Sequence, residues 1–378
     1  LAVVACAASC VFELGDVVEP AAGGGGTGGT GGEGGSEPTA ERTRIDVDAS
    51  ALTSSHPDFP LLVVLGPSNV SYALAGDDGA NIRFYAEDGT TLLAHEIEQW
   101  TPGGTSHVWV HLPSVGGEAT SVVWLHAGEP SPPATLPPTD VWSAYLAVYH
   151  LADAPPAEVT DAAAGARHGT PVMLTESDRV EGRLGPGYRF AGVSGPSPHV
   201  ALGGDEAFFV PPNGVLTAEL WFQRAGATAA GSMLALEGCC LGWGVSLLPP
   251  PPLIFRSVVG VGNCCSGSDD YAYAQFTMPG GDADTGWHHV VTVMDRAAGA
   301  TTVYLDGVEV YTELISASAA TGQGELMIGA SYDGSSGFEG VLDEVRLSQR
   351  ALPSDWVAFQ YATWDGSAVA VGEPEPIP

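Results

Sequence analysis

The sequence predicts an all-β protein made of two sandwiches, a small one followed by a larger one. Three observations carry that expectation. Short runs rich in β-branched and aromatic residues recur from Arg42 onward and are cut by turn sequences such as Asp88-Gly89 and Pro102-Gly103-Gly104, which is the punctuation of strands. Glycine numbers 51 and proline 29 among 378 residues, so turns are plentiful and long helices have little room. A proline-rich string, GEPSPPATLPPTD, parts the runs into two groups, and the length suffices for two cores because a single core rarely outgrows about 250 residues.

Charge narrows the choice of partners. All 12 basic residues are arginines, set against 45 acidic residues, for a formal net charge of −33. So acidic a chain repels phosphate backbones and anionic head groups, which argues against nucleic acid and against direct binding to a membrane surface. The same excess keeps an exported protein soluble, and the want of lysine fits a GC-rich coding bias.

The chain opens on LAVVACAASC, the tail of an apolar signal segment that ends in small residues and cysteine. Val3-Val4-Ala5-Cys6 resembles the lipoprotein pattern of an aliphatic residue, two small residues and the cysteine that is diacylated; Ala7-Ala8-Ser9-Cys10 resembles it less closely. Cys6 or Cys10 is therefore the expected lipidation site at the end of a signal remnant, 1–10. Cleavage without lipidation, or burial of the run as a strand, are the alternatives. Residues 11–40 contain AAGGGGTGGTGGEGG, which has almost no side chains to bury and reads as a flexible tether. No later segment supplies the roughly 20 apolar residues of a membrane span. The expected setting is outside the cell or on its surface, as an outer-membrane lipoprotein or a free protein, with the membrane touched only through the N-terminal lipid anchor.

The smaller sandwich is expected over 41–128. Its runs are RIDVDA, FPLLVVL, NIRFYAEDG, LLAHEIEQW, SHVWVHLP and SVVWLHAG, too short for helices and bounded by turns. These strings resemble an uncharacterised extracellular β-domain that often precedes laminin-G-like modules and also stands at the front of ExbB-type proton-channel proteins. Channel helices are missing here, so the resemblance implies no transport role, and the family brings no established activity. Within this stretch His95-Glu96-Ile97-Glu98 invites a catalytic reading. On a strand the two glutamates share one face, as a glycosidase pair would need, but such a run is also ordinary on a solvated sheet face, and no HExxH helix accompanies it. A structural role is expected.

Residues 129–142 form the proline-rich linker, a semi-rigid spacer expected to hold the sandwiches apart. Residues 143–372 then give about eleven short strands in the order that a two-sheet jelly roll requires. LTAELWFQ, GWHHVVTVMDRAAGATTVYLDGVEV and FEGVLDEVRLSQRALPSDWVAFQY, with AVYHLAD and DAAAGARHGTP ahead of them, resemble the laminin-G/pentraxin/concanavalin A-like (LamG-type) superfamily. The resemblance implies an inner strand from the first string, a hairpin turning at Asp306-Gly307 from the second, and a closing strand followed by a short helix from the third. Trp221, Trp287, His288 and Val290 are expected in the sandwich core or at its rim. His288 and His289 must point to opposite faces and so cannot share a metal. The chain ends in an acidic, proline-rich tail, 373–378.

Members of that superfamily often hold calcium at the sandwich edge, and the resemblance places Asp161 and Asp343, with Asp153, where such ligands meet; a structural calcium ion follows as an expectation. Asp269-Asp270 with Asp282 and Asp284 form a second acidic group in turn-like sequence, which could hold calcium in the same way but is expected to be solvated. Cys239-Cys240 and Cys264-Cys265 flank what reads as a hairpin with a four-proline turn. Antiparallel register would pair Cys239 with Cys265 and Cys240 with Cys264, with vicinal disulfides or a four-thiolate zinc site as the other options.

The functional expectation is a non-catalytic binding protein. A hydrolase of the concanavalin-like fold would carry Glu-x-Asp-x-x-Glu on one strand; that spacing occurs once, at Glu176-Ser177-Asp178-Arg179-Val180-Glu181, outside the strand-like runs, and no G-x-S-x-G elbow, P-loop or HExxH motif occurs. Loops or an aromatic sheet face would engage an extracellular glycan or a surface protein. The rival readings are a structural protein that assembles with copies of itself through exposed edge strands, and a glycoside hydrolase or lyase.

Overall fold

The computed structural model describes residues 40–116, 121–193, 195–236, 242–260, 271–315 and 324–377. The all-β expectation holds for these residues. Seven strands come from the N-terminal third: β1 (Glu41–Val47), β2 (Ser55–Leu65), β3 (Ile82–Tyr85), β4 (Leu92–Leu93), β5 (His95–Gln99), β6 (Ser106–Gly116) and β7 (Ser121–Ala127), with one helical turn, α1 (Tyr72–Ala75), between β2 and β3. The rest of the chain gives β8 (Ala147–Tyr149), β9 (Thr170–Val172), β10 (Arg179–Glu181), β11 (Pro186–Ala191), β12 (His199–Ala201), β13 (Val215–Arg224), β14 (Gly231–Leu236), β15 (Trp243–Leu248) and β16 (Ile254–Gly260). β17 (Tyr271–Thr277), β18 (Trp287–Asp295), β19 (Ala300–Leu305), β20 (Val308–Leu314), β21 (Leu326–Ile328), β22 (Glu339–Ser348), the helix α2 (Ser354–Trp364) and β23 (Val369–Pro376) complete it. No helix among the described residues is long and apolar enough to cross a membrane.

The strands form four sheets. A five-stranded sheet of order β23-β1-β7-β3-β4 and a three-stranded sheet β2-β6-β5 make the smaller sandwich. The larger one pairs an eight-stranded sheet, β10-β11-β22-β13-β18-β19-β20 with β8 beside β22, with a seven-stranded sheet, β17-β16-β15-β14-β21-β12-β9. Strand alternation fills the layer between these two: Leu216, Ala218, Leu220 and Phe222 of β13 and Val290 and Met294 of β18 all enter one core with Val245, Phe255 and Ile328 of the facing sheet. The Asp306-Gly307 turn joins β19 to β20 with both residues at positive φ, the conformation of a tight two-residue hairpin.

The other face of the eight-stranded sheet is buried too. Trp221, Val291, Val293 and Tyr304 belong to a second core that also holds Phe59, Leu61, Val108, Trp109 and Trp142, together with Trp356, Phe359 and Trp364 of α2. The spacer expectation is thereby corrected: 38–378 is one compact unit, and the sandwiches are packed face to face rather than held apart. The proline bridge makes this possible because it ends in a 3-10 turn, Pro138–Trp142, that drives Val141 and Trp142 into the shared core. The tail is corrected as well. Residues 369–376 are a strand paired antiparallel to β1, and proline is tolerated there because β23 is the outermost strand of its sheet.

Candidate functional site

With one face of the larger sandwich covered by the smaller one, the outer face of the seven-stranded sheet is the open one among the described residues, and a groove of about 610 Å³ runs over it. Its floor follows from register. Ser232 faces Ser246, Ser246 faces Arg256 and Arg256 faces Gln275, so these four form one polar row across β14, β15, β16 and β17. Ala235, Gly244, Val258 and Tyr273 form the next row in the same way. Their alternate neighbours, Val245, Phe255 and Ala274, point into the core. Gly244 contributes no side chain, which leaves a flat patch beside Tyr273. A wall comes from the turn between β21 and β22, where Ser331, Tyr332, Ser335 and Ser336 line the groove and Tyr332 is 51% exposed. Asp333 ties that turn by accepting from the Ser331 and Ser335 hydroxyls, each at 2.6 Å, and these bonds hold its carboxyl down at about 2. Arg256 stands with its guanidinium 5.9 Å from the centre of the Tyr273 ring.

A different group of titratable side chains lies at the joint between the sandwiches. β5 and β6 place Glu96, Glu98 and Trp109 on the face turned to the larger sandwich, whereas His95 packs against Phe84 on the other face. The Trp109 indole donates to Glu98 at 2.5 Å, and the Trp142 indole donates to Glu96. His150, just past β8, approaches Glu344 of β22 at 2.6 Å and Glu98 at 3.1 Å. Arg346 pairs with Glu344, and both are fully buried. Its guanidinium is boxed by Trp109, Trp142 and Trp364 at 4.2, 4.5 and 4.7 Å. Burial, and then the charge of Glu344, push Glu98 up to about 7. Burial works against a charged Glu344 as well, but His150 and Arg346 outweigh it and hold that carboxyl well below the usual range. His150 shows the mirror balance, with burial opposing its charge and the two glutamates raising it well above its ordinary value.

Glu98, His150 and Glu344 bring their ligand atoms within 4.8 Å of one another, the one such group among the described residues. Proton-linked hydrogen bonding accounts for it. The contact distances are those of hydrogen bonds, Arg346 already supplies a cation, and none of the three lines the groove or the second cavity, of about 640 Å³, beside Gln99, His107 and Arg183.

The expected calcium ligands are placed apart and otherwise engaged. Asp161 accepts from the backbone amides of Val148, Ala163 and Arg167, and Asp343 from those of Arg183, Leu184 and Glu344. Asp153 accepts from the amide and hydroxyl of Thr160. Carboxylates wrapped in N–H donors suit loop closure, while calcium asks for several converging oxygens, so these residues do not fit the ion. Of the second acidic group, Asp282 accepts from the Leu253 amide and Asp284 pairs with His288 at 3.2 Å, so neither is merely solvated. Asp269 and Asp270, the four cysteines Cys239, Cys240, Cys264 and Cys265, and the lipidation candidates Cys6 and Cys10 lie outside the described residues. His288 and His289 do point to opposite faces: His288 sits at the rim against Phe222, and His289 stacks on Trp221 at the joint.

Sequence reasoning had no access to Arg256. A single arginine in LIFRSVVG carries no motif, and only the alternation of Tyr271 and Tyr273 in YAYAQFT hinted at an aromatic outer face.

Residues 194–358 match a family described as the Concanavalin A-like lectin/glucanases superfamily, and residues 78–153 match a domain of unknown function (DUF2341). The second match runs across the proline bridge and takes in both Trp142 and His150. No curated protein matches the chain. Among solved structures, the chain is similar to domain 4 of AbnA, an extracellular GH43 arabinanase from Geobacillus stearothermophilus solved with arabinotriose, at 17% identity over 48% of this chain and 80% of that one, with a TM-score of 0.34. It is also similar to the binding domain of botulinum neurotoxin serotype G, at 11% identity over 58% of this chain and 50% of that one, with a TM-score of 0.43. The binding domain of Paraclostridial Mosquitocidal Protein 1 aligns at 12% identity over 58% and 52% of the two chains, with a TM-score of 0.40. The chain thus spans about half the length of those two binding domains.

Proposed function

We propose that this chain is a non-catalytic binding protein that takes a carbohydrate chain in the groove on the outer face of the seven-stranded sheet. One observation carries the reading: a flat floor of Ala235, Gly244 and Val258 ends at the ring of Tyr273, with a polar row of Ser232, Ser246 and Arg256 running alongside it. A pyranose ring has an apolar face that stacks on an aromatic ring and equatorial hydroxyls that need polar partners at its edge, and the two rows offer those surfaces side by side. The match of residues 194–358 to the lectin and glucanase superfamily supports the same reading.

Binding without cleavage is supported by where the carboxylates are. Glu339 is the one carboxylate among the described groove-lining residues, whereas glycosidases work with a pair flanking the bond. The Glu96 and Glu98 pair, which is suggestive in the sequence, is spent on Trp142, Trp109 and His150 at the joint. In this reading the protein works outside the cell, with residues 11–40 as its tether.

Titration of the full chain with a panel of oligosaccharides, alongside Tyr273→Ala, tests the proposal. A saccharide that binds the native chain should lose about ten-fold affinity in the variant, the worth of one aromatic stacking contact. No binding across the panel, or binding that Tyr273→Ala leaves untouched, would remove the groove from consideration. Release of reducing sugar from any bound saccharide would overturn the non-catalytic part.

A further inference from the structure

The arginines of this chain are almost all spoken for. Arg42, Arg44, Arg167, Arg189, Arg346 and Arg350 are ion-paired with carboxylates. Arg83, Arg179, Arg183, Arg224 and Arg296 donate to backbone carbonyls. The Arg256 side chain alone makes no hydrogen bond or ion pair among the described residues, and its Nε is buried without an acceptor. The other five arginines without a carboxylate partner donate to carbonyls instead, and this one does not. Its Nε–H has been taken from water with no acceptor in return, a cost that a partner arriving from outside would offset.

That guanidinium stands in the polar row of the groove, between Ser246 and Gln275, and beside the Tyr273 ring. We propose that the groove selects an acidic saccharide, one whose sugar bears a carboxylate, and that Arg256 is the residue that reads it. This rests on the carbohydrate-binding reading and sharpens it. A hexuronate carries its carboxylate one bond off the ring. A sugar stacked on Tyr273 therefore puts that group within reach of a guanidinium lying 5.9 Å from the same ring. The planar fork of arginine matches a carboxylate with two parallel N–H···O bonds, a pairing about twice as strong as neutral hydrogen bonds. Glu339, the lining acid, makes no ion pair with Arg256. The net charge of −33 works against any anionic ligand, but at physiological salt screening leaves only charges within about 8 Å effective, and Glu339 is the one carboxylate among the described residues lining the groove.

The test uses the full chain, a tetragalacturonate, a neutral galactose oligosaccharide of the same length and a sulfated one, measured by calorimetry with the native protein, Arg256→Gln and Tyr273→Ala. The native protein should bind the uronate about ten-fold or more tighter than the neutral chain. Arg256→Gln should weaken the uronate about ten-fold more than the neutral chain and so erase that preference, and Tyr273→Ala should weaken both. Equal affinities in the native protein, or a uronate preference that survives in Arg256→Gln, would overturn the inference and leave carbohydrate binding standing. A stronger preference for the sulfated chain would overturn the carboxylate assignment. Binding of none of the three would count against the groove itself. Circular dichroism and melting of Arg256→Gln check that the loss is local.

Discussion

The guanidinium of Arg346 lies 4.2 Å from the centre of the Trp109 ring, so a cation of the larger sandwich is seated on an aromatic face of the smaller one. Trp142, from the bridge, and Trp364, from α2, close the box, and Glu344 supplies the countercharge. Every wall comes from a different part of the chain, so the box exists only when the two sandwiches are docked. Trp109→Ala should cost about 3–5 kcal/mol by leaving a cavity in that shared core. Arg346→Met, which strands Glu344 with one cation fewer, should cost a similar 3–5 kcal/mol. Because both residues sit at the joint, urea denaturation followed by tryptophan fluorescence should show a single transition moved to lower denaturant. Two separate transitions, one of them unmoved, would mean that the sandwiches fold independently.

The glutamates on either side of His150 should give stability opposite dependences on pH. Glu98 binds its proton more tightly in the fold, with a value of about 7 against an ordinary 4.5. Its contribution is therefore whole below 4.5 and drains away as pH rises through about 7. His150, raised above its ordinary 6.5, likewise contributes fully below 6.5 and loses that as pH rises through its elevated value. Glu344 is depressed, so its contribution is whole above 4.5 and is lost as acid is added. Melting curves should show Glu98→Gln flattening the decline between about pH 5 and about pH 8 and matching or exceeding the native chain at the upper end, because the amide copies the neutral acid. Glu344→Gln removes the charge that two buried cations share and should cost about 3–5 kcal/mol near neutrality. A Glu98→Gln chain with the native pH profile would show that Glu98 does not titrate there.

The larger sandwich was legible in its strings because alternation within LTAELWFQ and the Asp306-Gly307 turn are local signals, and each reports one strand or one hairpin. The docking of the two sandwiches was not. Thr217 and Glu219 alternate with the apolar residues of β13 as solvent-facing residues would, yet both are 1% exposed. Thr217 donates to the Arg350 carbonyl, and Glu219 accepts from Gln360 of α2, partners 133 and 141 residues away that no window of sequence reveals. Alternation puts Glu96 and Glu98 on one face, but what the face meets depends on His150 and Glu344, far along the chain. The proline bridge misled in a physical way. Stiffness sets the reach of a linker, and a bridge whose last turn buries Val141 and Trp142 is anchored rather than spanning.

The wall of the groove depends on one glycine. Gly329 has φ +90 and ends β21, where its amide donates to the Met233 carbonyl at 2.7 Å and its carbonyl accepts from Phe338 at 2.8 Å. A Cβ there would come within 2.1 Å of the Phe190 ring, which fills the core behind it. Gly329→Ala must both adopt a left-handed backbone and displace Phe190, so a loss of about 2–4 kcal/mol is expected. The turn carrying Tyr332 and Ser335 would shift with it. Saccharide affinity measured well below the melting temperature should therefore fall along with stability. Native affinity in a destabilised Gly329→Ala chain would show that this turn takes no part in binding.

The outermost strand of the smaller sandwich comes from the far end of the chain. β23 pairs with β1 from Val47 opposite Val369 to Glu41 opposite Pro376, while β7 takes the other edge of β1. Val369 and Val371 pack against the shared core, and Arg42 meets Glu375 at 2.7 Å. Exposed ion pairs of that kind are worth about 0–1 kcal/mol, whereas half-covered valines contribute about 1 kcal/mol each and the ladder adds its hydrogen bonds. Ending the chain at residue 368 should thus lower stability by about 2–4 kcal/mol, and Glu375→Gln by less than about 1 kcal/mol. The truncated chain should also associate more at high concentration, since β1 becomes a bare edge with unpaired amides, guarded only by its charged residues. Denaturation and light scattering on the two variants separate the strand from the ion pair. If the truncated chain melts with the full one and stays monomeric, the C-terminal strand contributes nothing to the smaller sandwich.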